Sequence, residues 1–474
     1  MFITRVTIIL VQDKISFKKI LMSPSLTESI SEFAVKSDFN HLPSEAIPMA
    51  KDAILDFLCV AIAGTTDVGF RIASEFAEHL QSVQEATVIC RDFKTSVDWA
   101  ALLNSMAGHA AQGDVSFPSS TGFALHPGAA ILPAVLALGE KQRISGKKIL
   151  TAYCIAIEVL LRLGKEIGVN NLEAGWHPTS VLGAIGATLS CCSISGLSVV
   201  QTKTALGIAS SLTGGFKRNF GTMAKDFNVG NSARNGIIAA ELARAGLTAD
   251  NAILDGPGGL LHTFSPGFVG SPVFHDLGIH WNILNTGLSF KPYPCSRGAH
   301  AAVDAVLTIK RNVKFTEKDA VEIVCKTSSE IRAVMRYHCP STGKEAKFSM
   351  EYCIAVALKK GKIIPSDFMD TELKDLGIQK LMEKVHYPES PEWPRGLDAA
   401  QEITITLKDG RTFSHKNSVP KGEPENPMKH EDIVGKFMDF TSSIIASERC
   451  ERILEIMEVF ETLEDISAIA KLFS

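Results

Sequence analysis

Four polar segments interrupt otherwise apolar stretches of this 474-residue chain, and each carries side chains that can bind an anion or transfer a proton. They span residues 108–117, 175–180, 221–230 and 290–300. Histidine near a carboxylate suits proton transfer around neutral pH, whereas lysine and arginine suit the binding of carboxylates. Because these residue types occur together in the four segments, they indicate acid–base chemistry on an anionic substrate.

Two histidines, His126 and His177, each stand directly before a proline at the predicted start of a helix. Proline in the first helical turn fixes the histidine just outside the helix, where its imidazole can face a cleft beside N–H groups that attract an anion. A single histidine in this position is usually a cap or a packing residue, but two of them near Lys225 favour a catalytic pair. Asp114, with Ser116 in the same loop, could hold one of the two rings in a fixed tautomer.

Lys225 lies between Gly221 and Gly230, where the backbone can bend sharply, and helical spacing begins directly after Gly230. We therefore predict that Lys225 is in a polar loop at the start of a helix. Together with Lys217 and Arg218, that helix start would bind an anion, because free N–H groups and the helix dipole act in the same direction as the cations. The alternative is a solvated basic loop.

The composition excludes several classes of site and partner. A formal net charge of -4 argues against nucleic acid or an anionic membrane as the main partner. The 10 cysteines are scattered without a CxxC motif, so we interpret them as reduced core thiols in a reducing compartment. Asp114 and the histidines could instead bind a metal, but their spacing matches no ligand pattern, and we predict none.

The first 21 residues carry a short apolar run flanked by Arg5 and later lysines. The run is too short to span a membrane and lacks a clear cleavage site. It is either a targeting segment or an extension before a domain that starts at Met22, so we expect a cytoplasmic or mitochondrial protein.

The length favours two domains, and the hydrophobic pattern divides the chain accordingly. Apolar residues at three- and four-residue spacing predict a large all-α domain over residues 22–267. The composition changes near the glycine-rich residues 255–259, and strands are predicted at residues 320–326 and 402–407. We therefore expect a smaller α+β domain at 268–417, followed by helices at 418–474 that return to the first domain. The fold class is mainly α.

In their order along the chain, the polar segments resemble the motifs of the MmgE/PrpD family. The family pattern H-A-x-D-F-D-D-[ST] is matched loosely by HAAQGDVS at residues 109–116, and G-W-H-P-T-S is matched at residues 175–180. The remaining matches are HP-[SG]-x-x-x-x-P at residues 126–133, G-x-M-x-K-x-x-H-x-G-x-[AS]-A-R-[NS]-G at 221–236, K-x-[YF]-P-x-x-x-x-x-H at 291–300 and E-A-K-F-S at 345–349. The resemblance runs from about Ser25 to the C-terminus.

The resemblance implies a helical domain and an α+β lid domain, with the active site between them, usually in a homodimer without metal or organic cofactor. It implies that His126 and His177 are the acid–base pair and that Lys225 holds a substrate carboxylate. The lid edge would add the substrate ligands Lys291, Arg297 and His300. The implied reaction is that of a lyase on a di- or tricarboxylic acid, of the cis-aconitate decarboxylase or 2-methylcitrate dehydratase type.

Three residues depart from the family pattern and leave other functions open. Gln112 and Val115 stand where the family usually has aspartates, and Asn228 replaces the histidine three residues after the lysine. An epimerase acting on an iminodisuccinate-like acid is one alternative, because the G-W-H-P-T-S stretch is closest to that branch. A relative that binds a polycarboxylate without catalysis is another.

Overall fold

The computed structural model describes residues 25–473 except residues 124, 266–267, 269–271, 391–392, 394–395 and 397–398. The first 21 residues, interpreted either as a targeting segment or as an extension, lie outside this range. Within it, helices predominate and strands are few, which confirms the mainly α class. The helices of the first region are α1 (Leu26–Lys36), α2 (Ala46–Gly64), α3 (Val68–His79), α4 (Val97–Ala110), α5 (Pro127–Gln142), α6 (Gly146–Glu173), α7 (Pro178–Ile194), α8 (Val199–Leu212), α9 (Met223–Arg244), α10 (Leu260–Phe264) and α11 (Asn282–Asn285).

The second region and the C-terminal tail contain the remaining helices and the last four strands, whereas the first two strands lie in the first region. Their helices are α12 (His300–Asn312), α13 (Ser329–Val334), α14 (Gly343–Ala346), α15 (Met350–Lys360), α16 (Leu376–Met382), α17 (His430–Thr441), α18 (Ser447–Glu458) and α19 (Ser467–Ala470). The strands are β1 (Ala86–Thr87), β2 (Lys94–Thr95), β3 (Ala320–Lys326), β4 (Val385–His386), β5 (Gln401–Leu407) and β6 (Thr412–Asn417).

Helices α2, α4, α5, α7 and α9 form the centre of the first region, where small residues allow close packing. A Cβ on Gly236 of α9 would come within 2.4 Å of Ala187 on α7, and one on Gly183 within 2.6 Å of Ala130 on α5. The same apolar core includes side chains of α17 and α18, such as Phe437 and Ile453. The C-terminal helices therefore pack on the first region, which we call the helical region.

A second apolar core lies between residues 295 and 407 and is built on a four-stranded sheet. The strand order is β4-β3-β5-β6, with β3 parallel to β4 and antiparallel to β5, and β5 antiparallel to β6. Strand β5 alternates between buried and partly buried residues, as a sheet with one covered face requires. Helices α12 and α15 bury their apolar faces in this core. We call this part the sheet region.

Among the described residues, no single helix combines the length and apolar composition of a membrane span. Helices α2 and α3 meet that criterion only when counted together, and an 85° bend separates them.

Candidate active site

The segment that carries Asp114 begins where helix α4 ends. Gln112 has a φ of 60°, in the left-handed region, and turns the chain away from the helix axis. Residues 113–116 then run through the interior, and Ser116 pairs with Ser289 through two backbone hydrogen bonds of 2.9 and 2.8 Å. These contacts place Asp114, which is 1% exposed, beside the starts of helices α5 and α7.

Asp114 is in contact with two histidines. Its Oδ2 lies 2.8 Å from Nδ1 of His109 and 3.3 Å from Nδ1 of His126. The first contact is an aligned hydrogen bond, whereas Nδ1 of His126 has no hydrogen-bond partner among the described residues. We predicted that Asp114 would orient His126 or His177. Its aligned partner is instead His109, which lies on the last turn of α4 and was absent from the predicted site.

The prediction that Lys225 occupies a glycine-bracketed loop is wrong. Lys225 lies in the first turn of α9, which continues unbroken through Gly230. That glycine permits close packing rather than a bend, because a Cβ there would come within 2.7 Å of the Leu102 carbonyl oxygen on α4. Lys217 and Arg218 are exposed.

Asp114, His109, His126 and His177 form a group that we call the histidine–aspartate cluster, or the cluster. The Lys225 ammonium lies beside it. Its Nζ is 2.8 Å from Nε2 of His109, and the side chain is almost fully buried. An ammonium can only donate a hydrogen bond, so Nε2 of His109 is the acceptor. The ring proton is therefore on Nδ1, which donates a hydrogen bond to the Asp114 carboxylate. The result is a directed chain of hydrogen bonds from Lys225 through His109 to Asp114.

His177 reaches the same cluster from the start of α7. Its ring centroid lies 5.8 Å from that of His109 and 4.9 Å from that of Phe220. The backbone N–H of His177 donates to the Gly215 carbonyl, which fixes the histidine at the helix start. Its Nδ1 is buried and has no hydrogen-bond partner among the described residues. The ring is therefore held between a histidine and an aromatic face.

The segment just before the sheet region brings Lys291 to the cluster. Its Nζ donates to the Gln112 carbonyl at 3.1 Å and lies 3.8 Å from Oδ1 of Asp114. Burial lowers the pKa of Lys291 to about 8, and Asp114 partly offsets that effect. Two almost fully buried lysines thus lie near Asp114, Lys291 beside its carboxylate and Lys225 on the far side of His109.

Arg297, Ser116 and His300 take less direct positions. Arg297 donates to the Glu423 carboxylate at 2.8 Å and to Oγ of Ser116 at 3.0 Å, so its guanidinium and the serine already have partners. Nε2 of His300 lies 3.3 Å from the Cys295 carbonyl oxygen, and its ring faces Tyr293 at 5.3 Å. These contacts do not join His300 to the histidine–aspartate cluster.

The histidines are neutral at pH 7 in the free protein. Burial lowers the pKa of His109, His126 and His177 well below the ordinary value. For His126, Asp114 is the next largest influence and acts to raise the pKa. For His177, Lys225 is the next largest influence and lowers it further. Histidine was expected to transfer protons around neutral pH. With these lowered pKa values, we expect the histidines to affect the reaction rate at a lower pH instead.

Further cations beside the cluster were not predicted. Lys347 donates to the Ala110 carbonyl at 2.7 Å at the end of α4, and burial lowers its pKa to about 8. Lys344 pairs with Asp226 at 2.6 Å and with Asp67 at 2.9 Å. With Lys225, these lysines line a narrow pocket whose other residues include Gln112, Gly221, Thr222 and Phe348. Lys347 belongs to the E-A-K-F-S motif, which was the available signal.

The ligand atoms of His109, Asp114 and His126 lie within 4.8 Å of one another, close enough to hold a metal ion. The spacing along the sequence did not predict this grouping, because the fold brings His126 to the other two. Both ring nitrogens of His109 already take part in hydrogen bonds, and the Lys225 ammonium lies beside one of them. A bound cation would have to displace a proton and face that ammonium, so the donor set fits a proton relay better than a metal.

The three departures from the family pattern have distinct surroundings. Val115 is fully buried, and its Cγ1 would lie 2.8 Å from a Cβ on Gly128. Gln112 lines the lysine pocket without adding a charge. Asn228 lies one turn after Lys225, and its buried Nδ2 has no hydrogen-bond partner among the described residues.

Comparison with known proteins identifies the family of the chain. The MmgE/PrpD N-terminal domain profile matches residues 28–270, and the MmgE/PrpD C-terminal domain profile matches residues 293–462. The chain is similar to the cis-aconitate decarboxylase of Mus musculus, with 29% identity over 95% of this chain and 94% of the relative. It is also similar to cis-aconitate decarboxylases of Homo sapiens (29% identity, 95% of each chain) and Aspergillus terreus (26% identity, 95% of this chain and 96% of the relative). The chain therefore belongs to the MmgE/PrpD family.

Proposed function

We propose that this protein is a lyase that decarboxylates cis-aconitate or a closely related tricarboxylate. Similarity to cis-aconitate decarboxylases over nearly the whole chain supports a decarboxylase-like enzyme. The structural observation that carries the proposal is the pair of buried ammonium groups, Lys225 and Lys291, on either side of Asp114 and its histidines. A buried cation is costly without a counter-ion, and a substrate carboxylate is an anion of the matching type.

The reaction needs one proton and no oxidant. The bond between a carboxylate and its methylene carbon breaks, CO₂ leaves, and the electron pair forms a new terminal double bond. The original double bond then shifts its electrons to its far carbon, which takes a proton. The product is itaconate, and the side chains must stabilise the two remaining carboxylates and the negative charge left by CO₂ until they supply that proton.

The cluster can meet both requirements. Lys225 and Lys291 offset the charge of the remaining carboxylates, and a dry site strengthens that attraction. His126 is suited to donate the proton, because Asp114 beside its Nδ1 favours the charged ring. A bound polycarboxylate acts in the same direction as Asp114, so the ring gains its proton together with the substrate. His177 is the second member of the pair.

The test is incubation of the purified protein with ¹³C-labelled cis-aconitate in D₂O, followed by NMR. Itaconate should appear together with CO₂, with one deuterium in its saturated methylene group. Parallel samples contain 2-methylcitrate or iminodisuccinate, the substrates of the dehydratase and epimerase alternatives. Turnover of one of these but not of cis-aconitate would replace the proposed reaction. Binding of cis-aconitate without product would instead identify a non-catalytic relative.

We further propose that the protein is a homodimer, on the basis of the family resemblance. Light scattering coupled to size-exclusion chromatography measures the mass directly. A mass equal to that of one 51.2 kDa chain at assay concentration would contradict this assignment.

A further inference from the structure

A buried ion pair outside the substrate cluster is attached to the segment that carries Asp114. Asp56 lies on α2 and is fully buried, and Lys436 lies on α17 and is 5% exposed. Nζ of Lys436 is 2.6 Å from Oδ1 of Asp56. The pair joins an early helix to a C-terminal helix, 380 residues apart in the chain.

Both members also bind the backbone on either side of Asp114. Lys436 donates to the Gly113 carbonyl at 2.6 Å, and the Val115 N–H donates to Oδ2 of Asp56 at 2.9 Å. The peptide groups before and after the aspartate are therefore held by one charged pair. Gly113 leaves no spare room, since a Cβ there would lie 3.0 Å from the Phe440 ring and 3.7 Å from Nζ of Lys436.

The neighbouring peptide groups form hydrogen bonds with residues 289 and 291, just before the sheet region. Lys291 holds the Gln112 carbonyl, and Ser289 pairs with the backbone of Ser116. The segment from residue 112 to residue 116 is thus held by side chains or backbone of three separate parts of the fold. Asp114 supplies the one carboxylate of this segment, and that carboxylate lies beside His109 and His126.

General stability does not explain a charged pair in this place. Removing two charges from water is costly, and apolar residues of similar size usually serve a core as well or better. Hydrogen bonds from charged groups do, however, set direction more strictly than apolar contacts do. The pair is therefore best explained by the geometry that it imposes on the segment.

We propose that Asp56 and Lys436 are positioning residues, which fix the backbone around Asp114 so that its carboxylate stays aligned with His109 and His126. The role of this alignment in turnover rests on the proposed decarboxylase function. The alignment itself is a property of the free protein and can be measured without substrate.

The main variant is the double substitution Asp56→Asn/Lys436→Met, which removes both charges at once and avoids leaving one of them buried alone. A misplacement of about 1 Å near the reacting groups can cost about 10²-fold in rate. We expect kcat to fall by roughly 10–10²-fold while KM changes little, because Lys225 and Lys291 still bind the carboxylates. Phe437→Leu is the matched control, since it loosens the same helix at a buried residue that takes no part in the hydrogen bonds described above for residues 112–116.

The second measurement uses ¹⁵N-labelled histidine and NMR of the free protein. In the wild type, His109 should be held in the tautomer with the proton on Nδ1. In the double variant, the signals of His109 should shift toward a mixture of tautomers, and the pH titration of His126 should move to lower pH as Asp114 withdraws. The Phe437→Leu protein should keep both wild-type properties even if it melts at a lower temperature.

The outcomes separate this inference from the proposed function. A wild type without decarboxylase activity would remove the function, but the NMR comparison would still decide the positioning role. A folded double variant with wild-type histidine signals and wild-type kcat would overturn the inference. If the double variant does not fold, the isosteric Asp56→Asn variant is judged by the same criteria. If that variant also fails to fold, the pair is required for folding, and the positioning role is overturned.

Discussion

The two histidine–proline helix starts have the same local geometry and different surroundings. His126 and His177 both occupy the position directly before the first turn of a helix, with φ and ψ of -112° and 84° in the first and -101° and 99° in the second. The His126 side chain is 13% exposed and lies 3.3 Å from the Asp114 carboxylate. His177 is 2% exposed and faces the Phe220 ring.

The difference separates two chemical tasks. Burial lowers both pKa values, but Asp114 counteracts this effect at His126, whereas Lys225 reinforces it at His177. His126 can therefore acquire a proton more easily, and His177 stays neutral and able to accept one. An acid and a base arise from the same sequence pattern because, among the neighbouring charges, a carboxylate acts most strongly on one ring and an ammonium on the other.

The largest effect that tests this division is loss of the imidazoles. His126→Gln should lower kcat by roughly 10²–10⁴-fold, the usual contribution of a general acid. His177→Gln should lower kcat by a factor within the same range, but by less than His126→Gln does. Neither variant should alter KM much. Steady-state kinetics on cis-aconitate measure both variants.

The exposed His79 offers a control, because His79→Gln removes an imidazole far from the cluster. A larger loss at His177 than at His126 would reverse the division of roles. Wild-type kcat in both variants would leave the two residues as helix caps.

The next effect concerns Lys225, whose ammonium acts more strongly on His177 than on His126. Lys225→Ala should weaken binding of tricarballylate, a saturated tricarboxylate, by about 2–5 kcal/mol if the ion pair is desolvated. The melting temperature should change little, because the ammonium forms no ion pair with a carboxylate among the described residues and the lost hydrogen bond to His109 is offset by removal of a buried charge. Calorimetric binding and thermal unfolding measure the two quantities.

The comparison also predicts which ring responds to this substitution. Without Lys225, the pKa of His177 should rise more than that of His126. Lys362→Ala on the exposed surface is the control for a change of net charge. Unchanged affinity with a much lower melting temperature would make Lys225 structural.

A smaller effect is expected in the pH dependence. The pKa of Lys291 is lowered to about 8, so its ammonium is charged below that pH and lost above it. The value of kcat/KM should therefore decline as the pH rises through about 8, and the histidines should limit it only below neutrality. Lys291→Arg keeps its charge and should flatten the alkaline decline, which a pH–rate profile detects.

Lys347 has a similarly lowered pKa, about 8, and any decline that remains in Lys291→Arg is assigned to it. Lys347→Met in the Lys291→Arg background should then remove that remainder. A profile that stays unchanged in both variants would show that neither lysine controls the alkaline limb.

Much of the helical architecture could be predicted from local patterns, since α2, α4 and α6 follow the three- and four-residue apolar spacing that predicts an all-α domain over residues 22–267. Strand β6 was missed because its sequence, TFSHKN, is polar and lies at the sheet edge. The start of α9 was placed too late because Gly230 suggests a break in isolation. Only the approach of α4 to that glycine explains it.

The candidate site was predictable in its residue types but not in its pairing. His126, His177, Lys225 and Lys291 stand out in motifs, and the fold brings all four around Asp114. His109 was passed over because it ends an otherwise apolar helix. Local sequence does not indicate which carboxylate an imidazole will meet, because that partner is set by the crossing of distant helices.

The smallest expected effect is that of a chelator. The grouping that resembles a metal site, His109, Asp114 and His126, lies on the side of the cluster that we assign to proton donation. Both nitrogens of His109 are engaged, and Nζ of Lys225 lies 2.8 Å from one of them, so a divalent cation would meet an ammonium at contact distance. EDTA should therefore leave kcat and the histidine NMR signals unchanged.

Loss of activity in EDTA with recovery on adding a divalent ion would make His126 a ligand rather than an acid, and the contrast with His177 would then rest on metal binding. Metal analysis of the purified enzyme before chelation supports the same decision, because a resident ion in stoichiometric amount predicts that loss and its absence predicts no change.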